Sequence, residues 1–156
     1  MPVSLNQSKM AELRKYLKVL VAVDDSEYSM KAAEYAISIA KQFGSEVIAL
    51  HVFTSDINSS LSASFSAEME KIKKNAQEYF EKIRRIGDKA NWDIPLRTEL
   101  IASSSVAGGI TDFAEKEYVD LIVVGTRGNS GFKKLLLGSV AEGVVNHSSC
   151  PVMVVR

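Results

Sequence analysis

Short, uninterrupted apolar runs constrain this chain more than any other feature. "KVLVAV" stops abruptly at Asp24 and Asp25, "DLIVVG" stops at Gly125, and "EVIALHVF" and "CPVMVV" are built alike. A β-branched run without polar interruption reads as a strand buried on both faces, the pattern of a parallel sheet. Strands are therefore expected at Val19–Val23, Val47–Phe53, within "DLIVVG", and within "CPVMVV", where Pro151 stands at the start. "LRTELIA" alternates instead, which predicts a strand over Leu96–Ala102 near a sheet edge.

Helical periodicity fills the gaps. Ser26 can cap a helix whose first turn holds Glu27, and Met30, Ala33, Ala36, Ile37 and Ala40 share its inner face before Gly44 ends it. Met69, Ile72, Ala76, Tyr79, Phe80, Ile83 and Ile86 mark a long amphipathic helix, with its charged residues on the solvated side. Val106, Ile110, Phe113 and Ala114 mark a third helix, whose first turn contains the poor helix formers Gly108 and Gly109. A fourth runs from Ser139 to His147, while the serine-rich stretch Thr54–Ser66 reads as a surface loop. Strands alternating with helices predict a three-layer α/β/α domain over residues 17–156, with a five-stranded parallel, Rossmann-like sheet. Residues 1–16 are polar and read as an N-terminal extension.

Composition narrows the function classes. Nineteen basic residues balance nineteen acidic ones, so no basic surplus points to nucleic acid. No apolar run is long enough to span a bilayer, the first residues lack a signal-peptide core, and the lone Cys150 can form no internal disulfide. A cytoplasmic address is the expectation. Two histidines and one cysteine offer no zinc set.

The chemistry concentrates in "GTRGNSGFKKLLLGSV", Gly125 to Val140. A single glycine between strand and helix ordinarily just makes a turn. Here Gly125, Gly128, Gly138 and Ser139 stand at fixed offsets, after a buried strand and before a helix. Glycine lets backbone approach an anion, and the first amides of a helix lack partners and carry partial positive charge. The intervening residues can fold back as a flap, with Arg127, Lys133 and Lys134 adding charge. Neither the Walker A pattern nor G-x-G-x-x-G is present.

These residues resemble the G-x2-G-x9-G-[S/T] signature of the ATP-binding branch of the universal stress protein family. "KVLVAVDDSEYSMKAAEYAISIA", "VIALHV", "DLIVVGTRG" and "GSVAEGVVNHSSCPVMVV" extend the likeness over almost the whole chain from Leu17. The resemblance implies an adenine-nucleotide α-hydrolase-like sheet and a nucleotide-dependent regulatory switch in stress response rather than an enzyme. It places Asp24, with the backbone of Ala22 and Val23, beside adenosine, Val52 and Val124 near adenine, and Gly125 near the ribose. Arg127, Gly128, Gly138, Ser139 and Val140 would meet the phosphates. The ligand implied is ATP, or ADP or AMP, with Mg²⁺ held through the phosphates. Relatives commonly form homodimers through their last strands, and the short apolar "PVMVVR" suits that. Many relatives carry glycine where this chain has Asp25, whose carboxylate is expected to point outward, toward the first helix's N-terminus.

Other residues read as structural. His51 lies inside an apolar strand and is expected to pack, His147 to cap a helix C-terminus, Cys150 to be a small buried hydrophobe, and Trp92 to pack at the end of the second helix. A phosphoacceptor receiver domain would need an aspartate closing the third strand, and "LRTELIASSS" has none. An adenylylating or nucleotide-hydrolysing enzyme of the related α-hydrolase group would need an S-G-G-x-D-S loop, whose glycines "AVDDSEYS" lacks. If the motif grips phosphate, Gly128→Val abolishes ATP binding measured by calorimetry while the circular dichroism of the fold is retained.

Overall fold

The computed structural model describes residues 18–55, 63–93, 96–127 and 137–156. Among the described residues nine elements follow in order: β1 (Lys18–Ala22), α1 (Glu27–Phe43), β2 (Glu46–Thr54), α2 (Ala63–Lys89), β3 (Arg97–Ser103), α3 (Val106–Lys116), β4 (Leu121–Gly125), α4 (Ser139–His147) and β5 (Val152–Val155). The five strands form one sheet in the order β3-β2-β1-β4-β5, and every neighbouring pair is parallel. This is the expected α/β architecture. "LRTELIA" lies at an edge, as its alternation suggested.

Period-two alternation divides the strands between two cores. Val19 and Val21 of β1, Val47 and Ala49 of β2, and Val123 of β4 face α1 and α2. Leu20, Ile48, Leu50, Ile122 and Val124 face α3 and α4, meeting Ile110, Ala114, Ala141 and Val144. Leu20, Ile48, Leu50 and Ile122 are completely buried, each stabilising the fold by about 1.5–3 kcal/mol. α1 presents Ala32, Ala33, Ala36 and Ala40 to the sheet, small residues that let its backbone lie close. Ser26 caps it by accepting the Ser29 amide, and Gly44 ends it in the left-handed conformation (φ 68°).

Two expectations are corrected. The stretch Thr54–Ser66 is not all loop: Thr54 belongs to β2, and α2 already begins at Ala63. The apolar stripe continues backward through half-buried Phe65 and Met69, while Ser64 and Ser66 take the exposed side, so the serines mask a helical period. Cys150 is half-buried rather than enclosed, its sulfur 3.5 Å from the Ser148 hydroxyl. Trp92 is buried behind the end of α2, its ring filling the space over Gly87. His147 Nδ1 donates to the Gly143 carbonyl at 2.8 Å in the last turn of α4. Among the described residues, no helix is long and apolar enough to cross a membrane.

Gly109 explains the weak start of α3. A Cβ there would stand 2.7 Å from Val52 Cγ1 and 2.9 Å from Ser103 Cβ, so glycine lets α3 press against β2 and β3. Gly109→Ala therefore destabilises the protein in urea unfolding: overpacking costs about 1–3 kcal/mol, against roughly 0.5–1 kcal/mol that Ala contributes over Gly in a helix.

Candidate functional site

The carboxyl ends of β1 and β4 lie side by side because Val21 pairs with Val123, which sets Val23 level with Gly125. β1 also pairs with β2, and the Val23 amide extends that ladder by donating to the Leu50 carbonyl at 2.9 Å. A cleft of about 210 Å³ opens here, at the point where the strand order turns away from β1 on both sides.

Four segments supply the expected residues. From β1 and its turn come Ala22, Val23 and Asp24; from β2 comes Val52; from the end of β4 come Val124, Gly125 and Arg127. The start of α4 supplies Gly138, Ser139 and Val140. The structure thus brings together ten of the residues singled out by sequence. The eleventh, Gly128, lies outside the described residues, as do Lys133 and Lys134.

The excursion between the two glycine groups starts and ends at one point. The Gly138 amide donates to the Thr126 carbonyl at 2.6 Å, and a Cβ on Gly138 would sit 3.1 Å from that same oxygen and 3.4 Å from Arg127 Cα. The chain that leaves after Thr126 therefore returns against it. Gly138 is the N-cap of α4 and offers no side-chain acceptor, whereas α1 and α3 are capped by Ser26 and Ser105. The first amides of α4 accordingly face the cleft without the kind of side-chain cap that α1 and α3 have.

Asp24 is held from several sides. Its Oδ1 accepts the Ser26 amide at 2.8 Å, its own amide donates to Ser29 Oγ at 3.2 Å, and Ser29 Oγ donates to its carbonyl at 2.8 Å. Asp25 is exposed and points outward, but the expected partner is corrected. Its carboxylate meets Lys82 of α2 at 2.7 Å rather than the start of α1. That hydrogen bond holds the Lys82 ammonium above its usual range. Lys82 belongs to a helix that packs beside α1, a proximity created only by folding.

Sequence reasoning missed Ser29, Leu50, His51, Val106, Ile110 and Ala141, which also line the cleft. Four are plain core residues, and nothing in their local sequence marks them. Ser29 stands one helical turn beyond the cap, a spacing that could have flagged it. His51 is packed as expected: Nδ1 donates to the Val23 carbonyl at 2.7 Å, and the ring meets Tyr79 edge-on at 5.2 Å. Burial first, then the carboxylates of Asp25 and Asp24, push the Tyr79 phenol above its ordinary value. Among the described residues no cluster of three or more His, Cys, Asp or Glu could hold a metal ion.

Comparison with known proteins locates the chain. The universal stress protein family matches residues 15–156. A universal stress protein of Methanocaldococcus jannaschii is 39% identical over 143 residues, spanning 90% of this chain and 82% of its own length. The universal stress protein YxiE of Bacillus subtilis is 34% identical over 145 residues, 89% of this chain and 98% of that one. The solved structure of UspA from Lactobacillus plantarum superposes with a TM-score of 0.74 at 25% identity, covering 90% and 98%. A universal stress protein solved in complex with cAMP shares the fold, with a TM-score of 0.68 at 23% identity, covering 90% and 97%.

The hydrogen bonds of Asp24 also predict a stability effect. Asp24→Ala loses the bond to the Ser26 amide and lowers the unfolding free energy by about 1 kcal/mol, whereas Asp24→Asn, which keeps an acceptor oxygen, loses less; urea denaturation separates them.

Proposed function

The chain belongs to the universal stress protein family, and we propose that within it this chain is an adenine-nucleotide-binding regulatory module of the ATP-binding branch. One observation carries the reading: the end of β4 and the uncapped N-terminus of α4 meet through the Gly138–Thr126 hydrogen bond, beside Asp24. A polyphosphate laid there meets unpartnered helix amides and the Arg127 guanidinium, and Arg pairs well with planar, multi-oxygen anions.

The remaining wall suits base and sugar. Val52 and Val124 give apolar surface, the backbone of Ala22 and Val23 gives an edge of polar groups, and Asp24 has a second carboxylate oxygen that ribose hydroxyls can use. The cleft volume lies below the roughly 300–1,000 Å³ of sites that enclose a whole drug-sized ligand, so the phosphates would extend out along the Gly125 side. Mg²⁺ would be carried by the phosphates. Structures of this fold have been solved with cAMP and with dAMP; at their identities they speak for the fold, and the nucleotide reading rests on this chain's own cleft.

Binding rather than rapid turnover fits the acid–base groups present. Asp24 Oδ1 accepts the Ser26 amide and His51 Nδ1 donates to the Val23 carbonyl, so each holds backbone through one of its two polar atoms. A nucleotide-dependent change of surface would then serve as the output. β5 lies at a sheet edge, and a homodimer formed by pairing its open side is part of the same proposal.

Denaturing the purified protein and chromatographing the released small molecules should show a co-purified adenine nucleotide, or added ATP should bind in calorimetry. Arg127→Met should weaken ATP by about tenfold or more, the scale of one charge-assisted contact. An empty protein that ignores ATP and ADP would refute the assignment, and steady release of phosphate or pyrophosphate would move it to the enzymes.

A further inference from the structure

We infer that Tyr28 is a positioning residue for the phosphate end of the cleft, acting through Arg127. The inference rests on the nucleotide reading above. The Arg127 guanidinium carbon lies 6.0 Å from the centre of the Tyr28 ring, within reach of a cation–π contact. Tyr28 is not among the residues lining the cleft, so any effect it has on a ligand passes through a neighbour.

The ring is held independently of any ligand. Tyr28 sits in the first turn of α1, a turn fixed where Ser26 Oγ accepts the Ser29 amide at 3.1 Å. Its backbone lies directly on the end of β4: a Cβ on Gly125 would stand 2.7 Å from Tyr28 Cβ and 2.8 Å from its carbonyl carbon. Gly125 therefore admits α1 to the strand end, two residues before Arg127. A flexible arginine loses rotamer freedom when it grips an anion, and a ring that confines it beforehand reduces that loss. A ring against a guanidinium acts on its charge and its orientation, while phosphate oxygens are paired through N–H groups, so the two contacts are of different kinds. The same turn also ties down Asp24 through Ser26 and Ser29. One turn of α1 thus organises both the sugar side and the phosphate side of the cleft.

A role through Arg127 makes Tyr28 matter for phosphates and not for adenosine. Calorimetric titrations with ATP and with adenosine, on wild type and on Tyr28→Phe, Tyr28→Leu, Arg127→Met and the Tyr28→Leu/Arg127→Met pair, test this. Tyr28→Leu should weaken ATP about three- to tenfold while adenosine stays within about twofold, and Tyr28→Phe, which keeps the ring face, should retain ATP affinity. The double variant should bind ATP no more weakly than Arg127→Met alone. Should Tyr28→Leu fail to fold, Tyr28→Met carries the same comparison. Equal losses for ATP and adenosine would mark a structural role, a loss in Tyr28→Phe matching that in Tyr28→Leu would assign the effect to the hydroxyl, and additive losses in the double variant would remove Arg127 as intermediary; each overturns the inference. So would unchanged binding in every Tyr28 variant, with the nucleotide reading left standing. Wild-type protein that binds neither ATP nor adenosine would end both.

Discussion

Parallel pairing of β1 with β4 is the contact on which the cleft depends. Val19, Leu20 and Val21 face Leu121, Ile122 and Val123 with no polar side chain between them, in the middle of the sheet. That register sets the turn after β1 beside the turn after β4. The chain first builds outward from β1 to β2 and β3, then crosses to lay β4 and β5 on the other side. The connections after β1 and β4 therefore diverge, and a crevice is left between them whether or not a ligand fills it. Shifting β1 by one residue would exchange Val19 and Val21 with Leu20 between the two cores, so packing on both faces enforces the site's geometry.

The glycines of the motif serve the protein before they serve any ligand. Gly125 has no room for a side chain because the first turn of α1 rests on it, and Gly138 is tight against the Thr126 carbonyl. A strand end, a helix start and a returning loop converge at this point, and missing side chains allow it. The same convergence brings amides and Arg127 to one side of the cleft. Close backbone approach and the proposed anion recognition would thus be two consequences of one steric fact.

Much of the fold was legible because burial leaves periodic marks. The valine runs of β1 and β4, the alanine face of α1 and the alternation in β3 each report the layer that covers them. The serine-rich stretch misled because composition and period disagree there: Phe65, Met69 and Ile72 keep the helical stripe among polar neighbours, and tertiary burial outweighs the weak helix preference of serine. Asp25 was legible only as an exposed carboxylate. Its partner, Lys82, stands 57 positions away on a helix that reaches it only after α2 has docked beside α1.

For the site, the local segments announced themselves: an aspartate ending a buried strand, and glycines between a strand and a helix. By itself the sequence determined the parallel α/β layering and the residue types at the strand ends, since period-two and 3.6-residue burial are properties of local chain geometry. Only the tertiary structure decided that ten of those residues share one cleft, that Gly138 returns to Thr126, and that Ser29, His51 and Tyr28 stand around them. Such contacts join segments far apart in the chain, and nothing in one segment encodes which distant segment the sheet register will place beside it.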